Sequence, residues 1–163
     1  MNNYEKVHKI IEEENLIELK DLKITLSEIS NLSQSNRQNN LFEYNKSKLC
    51  KKCNLYIFYL INFKNSSKEN RKSLLPLLID LRNKEIEDNI LVSISTILYY
   101  YQNKNILKCH ESYYSLSIGN IAWPIGITNV GIHERNIKNS KKSNIMVNEV
   151  RRLWMSSLKS LLN

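Results

Sequence analysis

Apolar residues recur at helical spacing through most of the chain, and the breaks between those runs divide it into elements. Near the start, Val7, Ile10 and Ile11 mark a short stripe. Leu19, Leu22, Leu26 and Ile29 form a second, at spacings of three, four and three. Ser33 to Asn40 is a polar Ser/Asn/Gln stretch without a period, the composition of a linker. The pattern predicts a short helical N-terminal arm and linker over residues 1–40 and a main domain over residues 41–163.

From Phe42 the signal strengthens. Leu49, Cys53, Tyr56, Ile57, Leu60 and Ile61 share one helical face, and Asn65-Ser66-Ser67 ends that run and can cap the next. Leu74, Leu75, Leu78 and Leu81 predict a second helix, with Pro76 either in its first turns or at a kink. Ile86, Ile90, Leu91, Ile94, Ile97, Leu98 and Tyr101 form the cleanest stripe, a third helix expected to lie on the core along its whole length. Ile106, Leu107, Cys109, Tyr113, Leu116 and Ile118 make a fourth. Val150, Leu153, Trp154, Leu158, Leu161 and Leu162 make a fifth, capped by Asn148. No alternating run rivals these, so the expected class is all-α: a five-helix bundle with a long loop between the last two helices.

That loop is unlike the others. All three glycines, Gly119, Gly126 and Gly131, fall within it, together with Pro124. Proline fixes φ and biases the residue before it away from the α region, so Trp123-Pro124 cannot lie inside a helix. Yet the stretch from Gly119 to His133 carries no formal charge and is rich in Ile and Val. An apolar loop must bury itself in its own domain or in a partner. Five stripes supply a core without it, so replacing residues 120–133 by a short bridge is expected to leave the fold standing.

Charge sharpens the picture. The chain of 163 residues carries a net charge of +8, which suits an acidic partner surface, most simply nucleic acid. Arg135, Lys138, Lys141 and Lys142 make a basic run directly after the uncharged part of the loop, and Arg151 and Arg152 extend it into the last helix. These six are the candidate RNA-phosphate contacts. Three cysteines, no apolar run of membrane-spanning length and a start unlike a signal peptide predict a soluble, intracellular protein in a reducing compartment.

Candidate reaction chemistry is thin. Cys50-Lys51-Lys52-Cys53 has the spacing of half a zinc site but lacks a second pair, and Cys109 and His110 project about 100° apart on a helix. The thiols read as core or half-buried packing residues, with no metal and no cofactor expected. A Cys/His nucleophile built from Cys109 or Cys50 with His133 would need an orienting third group, and no signature supplies one. The chain is expected not to be an enzyme. Tyr99-Tyr100-Tyr101 spreads around a helix, so only part of it can be core.

The arrangement Gly-Asn-x-x-Trp-Pro-Ile-Gly-x-Thr-x-Val-Gly-Ile-His-x-Arg, running from Gly119 to Arg135, resembles the conserved loop of the pre-mRNA-splicing factor 18 family. Its fixed positions here are Gly119, Asn120, Trp123, Pro124, Ile125, Gly126, Thr128, Val130, Gly131, Ile132, His133 and Arg135. Ser73-Leu74-Leu75-Pro76-Leu77, Glu111-Ser112-Tyr113-Tyr114-Ser115-Leu116 and the last helix are similar to the family's flanking segments, so the resemblance covers about residues 41–163. The first forty residues lack the family's N-terminal Pro-Ile-x-Leu-Phe-Gly type motif. The resemblance implies a five-helix domain and a nuclear, non-enzymatic factor of the second splicing step, exon ligation, that keeps exon ends and the 3′ splice site docked. It implies protein partners, namely the zinc-knuckle second-step factor and the scaffold protein of the U5 particle, with the loop reaching spliceosomal RNA and a monomer outside the complex. The alternative reading is a basic helical RNA-binding or adaptor domain outside splicing.

Overall fold

In a computed structural model, residues 2, 5, 19–32, 40–127 and 148–163 are described, and among them every regular element is helical. A 3₁₀ turn, Leu19–Leu22, leads to a short helix α1, Leu26–Ser30, opened by a reciprocal capping box between Thr25 and Glu28. Five longer helices follow: α2 Asn40–Phe63, α3 Lys68–Asn83, α4 Asp88–Gln102, α5 Ile106–Ser117 and α6 Glu149–Leu162. The first stripe, at Val7, Ile10 and Ile11, lies outside the described residues.

Helices α2 to α5 all stop in the same way. Each is followed by a residue with positive φ: Asn65, Lys84, Lys104 and Gly119. In each case the next amide reaches back five residues along the chain, as Ser66 N–H does to Ile61 O and Asn120 N–H to Ser115 O. This closure satisfies carbonyls that the helix end would otherwise leave unpaired. Glycine is used for it once; lysine is used twice. Ser67, Asn105 and Asn148 accept the first free amides of α3, α5 and α6.

Helix α4 is buried on nearly every side, from Ile90 to Leu98 without a break. Its polar residues survive there because their hydroxyls bond to the helix's own carbonyls: Ser95 to Leu91, Thr96 to Val92 and Ser93 to Asn89. Around it, α5 packs along one side and α2 along another, α3 lies on α2, and α6 lies on α3. The ends are matched by ion pairs and hydrogen bonds. Lys46 meets Asp88 at 2.8 Å and Arg151 meets Glu87 at 2.7 Å where α2, α4 and α6 begin. Lys64 reaches the Asn163 carbonyl where α2 and α6 end. Tyr113 of α5 donates to the Met155 carbonyl of α6, and Asn54 of α2 to the Leu78 carbonyl of α3.

Several positions depart from the sequence reading. Helix α3 begins at Lys68, so of the two places open to Pro76, the first turns or a kink further in, it takes the interior one. The cap at Ser67, within the Asn65-Ser66-Ser67 stretch expected to cap this helix, sets that start. Leu107 and Ile118 are 70% and 64% exposed; at 100° per residue both point away from the buried line of Cys109, Tyr113 and Leu116. Ile106, Leu75, Val150 and Leu153 are also largely exposed.

Residues 19–32 join the same core. Ile24, Ile29 and Leu32 are buried beside the bundle. The Gln102 side chain accepts from Ile24 N–H at 2.8 Å and donates to the Leu22 carbonyl at 2.9 Å, pairing with the backbone as a neighbouring strand would. Lys52 of α2 adds an ion pair to Glu28 at 2.8 Å and a bond to the Lys23 carbonyl.

A candidate partner-binding loop held on the central helix

The loop leaves α5 at Gly119, whose φ of 87° supplies the left-handed residue that ends the helix. Lys84 and Lys104 hold the same left-handed position at the ends of other helices. The backbone N–H of Asn120 completes that closure on the Ser115 carbonyl, while its residue surface is exposed.

From Ile121 the chain turns inward and runs along α4. Ala122 is buried, and its N–H donates to the Ser93 hydroxyl at 3.0 Å. Trp123 is half-buried against the core, and Pro124 is buried. Ile125 N–H donates to the Tyr100 hydroxyl at 2.9 Å. The apolar character of this stretch is therefore absorbed by its own domain as far as Pro124. Removing this stretch would uncover part of α4, a cost that the expectation of a loop dispensable for the fold did not include. The Trp123 indole N–H is shielded from solvent and finds no hydrogen-bond partner among the described residues.

At Pro124 the chain reverses. Ile127 N–H donates to the Pro124 carbonyl at 3.1 Å, closing a four-residue turn with Gly126 at its third position. Gly126 has φ of 88° and Ile125 is not among the positive-φ residues, the combination that defines a type II turn. A Cβ added at Gly126 would meet nothing within 4 Å among the described residues, so it is conformation rather than crowding by them that calls for glycine here. The tip is apolar and open to solvent, with Ile125 68% exposed.

Of the residues singled out in the sequence, Gly119, Asn120, Trp123, Pro124, Ile125 and Gly126 form this described part of the loop. Thr128, Val130, Gly131, Ile132, His133, Arg135, Lys138, Lys141 and Lys142 lie outside the described residues. Arg151 is engaged with Glu87, whereas Arg152 is exposed on the first turn of α6. Two residues that sequence reasoning did not assign to the site, Ser93 and Tyr100, hold the loop. The signal available was a serine interrupting an apolar stripe and a tyrosine triplet in which only Tyr100 is buried.

No group of three or more metal-ligating side chains assembles among the described residues. All three cysteines are buried and free. Burial pushes the Cys50 and Cys109 thiols up to about 11, and that of Cys53 well above its ordinary value. Thiolate, the nucleophilic form, is therefore scarce near neutral pH. No described helix is long and apolar enough to cross a membrane.

A family model for the Prp18 domain matches residues 19–163. The chain is 40% identical over 132 residues to pre-mRNA-splicing factor 18 of Saccharomyces cerevisiae, an alignment covering 72% of this chain and 53% of that protein. It is 35% identical over 100 residues to the protein of the same name from Schizosaccharomyces pombe, covering 59% of this chain and 28% of that one. The Xenopus laevis counterpart is 32% identical over 101 residues, covering 60% and 30%. The chain thus spans about half the length of the budding-yeast relative and under a third of the other two. The all-helical architecture, the loop motif and a match that runs from the 3₁₀ turn through the last helix converge on one statement: this chain belongs to the Prp18 domain family.

Proposed function

We propose that this chain is a non-enzymatic pre-mRNA-splicing factor that works in the nucleus at exon ligation, keeping the exon ends and the 3′ splice site docked. The observation that carries this reading is the family match over residues 19–163, in a chain whose loop keeps the family motif from Gly119 to Arg135. In this account the helices recruit the protein through the zinc-knuckle second-step factor and the U5 scaffold protein. The loop reaches the RNA core, and the protein is a monomer outside the complex.

The division of labour follows from the switch in chemistry along the loop. Arg135, Lys138, Lys141 and Lys142, with Arg152, supply attraction to phosphates without reading sequence. The uncharged part supplies a shape that fits one place. The test is purification of the tagged chain from nuclear extract, with and without Gln at the four loop basic positions. Spliceosomal RNAs and proteins should come down with the wild type, and the quadruple variant should bind with a shallower salt dependence, by about one unit of slope per lost phosphate contact. Recovery of mixed RNA without spliceosomal components would overturn the reading.

A further inference from the structure

Ser93 and Tyr100 stand two helical turns apart on α4, and seven residues at 100° each return to within about 20° of the same face. They are separated by about 10 Å along the helix axis, at 1.5 Å per residue. Ala122 and Ile125, whose amides they accept, are three residues apart, and an extended chain covers about 10 Å in that distance. The two spacings match. Helix and loop therefore meet in one register, with the loop running parallel to α4.

Each hydroxyl oxygen can accept a hydrogen bond from outside the helix. Ser93 donates to the Asn89 carbonyl and is left with an acceptor position that Ala122 N–H fills. The Tyr100 ring is buried and its oxygen emerges under the turn, where it accepts from Ile125 N–H. The contact at Tyr100 falls at the residue whose side chain is most exposed in this stretch. The backbone of the tip is tied down while its side chain faces out, which is the arrangement of a preorganised contact residue.

We infer that Ser93 and Tyr100 are positioning residues: two hydroxyls on α4 that fix the register of the loop and present the Ile125–Gly126 tip, already ordered, to its partner in the spliceosome. This rests on the function proposed above, and its test separates the two. Amide hydrogen exchange would be measured on the full chain for wild type, Tyr100→Phe and Ser93→Ala, beside exon ligation in extract depleted of the native factor. Tyr100→Phe keeps the ring and removes one oxygen. Its Ile125 amide should exchange about fivefold faster, the typical effect of one lost hydrogen bond, with helical amides unchanged. Ligation should slow by a similar factor while recruitment to the particle is retained. Ser93→Ala should act the same way through Ala122. A structural role alone would lower thermal stability without this split between recruitment and ligation. Unchanged Ile125 exchange in Tyr100→Phe would overturn the clamp, and faster exchange with full ligation would overturn its positioning role. If the wild type itself restores no ligation, the function proposed above fails, and the exchange measurement alone decides the clamp.

Discussion

Gly126 offers the most discriminating perturbation, because structure separates two reasons for its being glycine. Its φ of 88° lies where L side chains are strained, yet a Cβ there would touch nothing within 4 Å among the described residues. Gly126→Ala therefore incurs the left-handed penalty of about 1–2 kcal/mol. That is offset by the lower entropy of the unfolded alanine chain, about 0.4–1 kcal/mol. The net loss should be about 1 kcal/mol, or roughly 2–4 °C in Tm for a chain of this size. Asn tolerates positive φ and should lose less; Val, stiff at Cβ, should lose more. The expected order of Tm is Gly, Asn, Ala, Val, measured by circular dichroism at 222 nm with helical content unchanged. Exon ligation then reads the other reason. If conformation alone matters, Gly126→Asn should ligate nearly as well as wild type. If a partner closes on the glycine, Asn should fail along with Val. A loss above about 3 kcal/mol for Gly126→Ala would mean that the open space is wrong, and a fully stable Gly126→Val would mean that the left-handed turn is not formed.

Lys84→Gly and Lys104→Gly should each raise stability by up to about 1 kcal/mol in urea unfolding, since both lysines hold left-handed helix-end positions that glycine adopts without strain. Gln102→Ala strips partners from the Ile24 amide and the Leu22 carbonyl, and should destabilise by about 1–3 kcal/mol and make residues 19–32 protease-sensitive before the bundle unfolds. The thiols should resist a disulfide reagent at pH 8 until the protein is denatured, because Cys50, Cys53 and Cys109 are buried. The folded thiol values of about 11 for Cys50 and Cys109 lie above the ordinary 9.0. Their contribution to stability is thus complete below about pH 9 and lost as pH rises from 9 to 11, which urea midpoints across that range would show.

Four of the five long helices were legible because each buries one face, and burying one face writes a period of 3.6 into the sequence; α4, buried on nearly every side, was legible from its density of apolar residues. Leu107, Ile118 and Leu153 were misplaced for the converse reason: an apolar residue near a stripe looks like part of it, although its angle on the helix turns it outward. The stripe in residues 19–32 was visible, but the polar stretch after it hid the fact that it joins the bundle's core. What ties them to the bundle is the amide of Gln102 pairing with backbone, and a lone glutamine carries no pattern. In the loop, Gly126 announced its turn, but the apolar residues gave no sign of whether they face α4 or a partner. Ala122 and Pro124 face inward and Ile125 outward, a choice made by two hydroxyls on a helix roughly 30 residues earlier.

The central claim is that a loop anchored on α4 serves exon ligation, and its most direct measurement is splicing in extract depleted of the native factor. With the wild-type chain added back, ligated exons should reappear. With Gly126→Val, the first cleavage should proceed normally while free exon and lariat intermediate accumulate. Ligation restored in full by the Val variant, or a first step that also fails, would contradict the account.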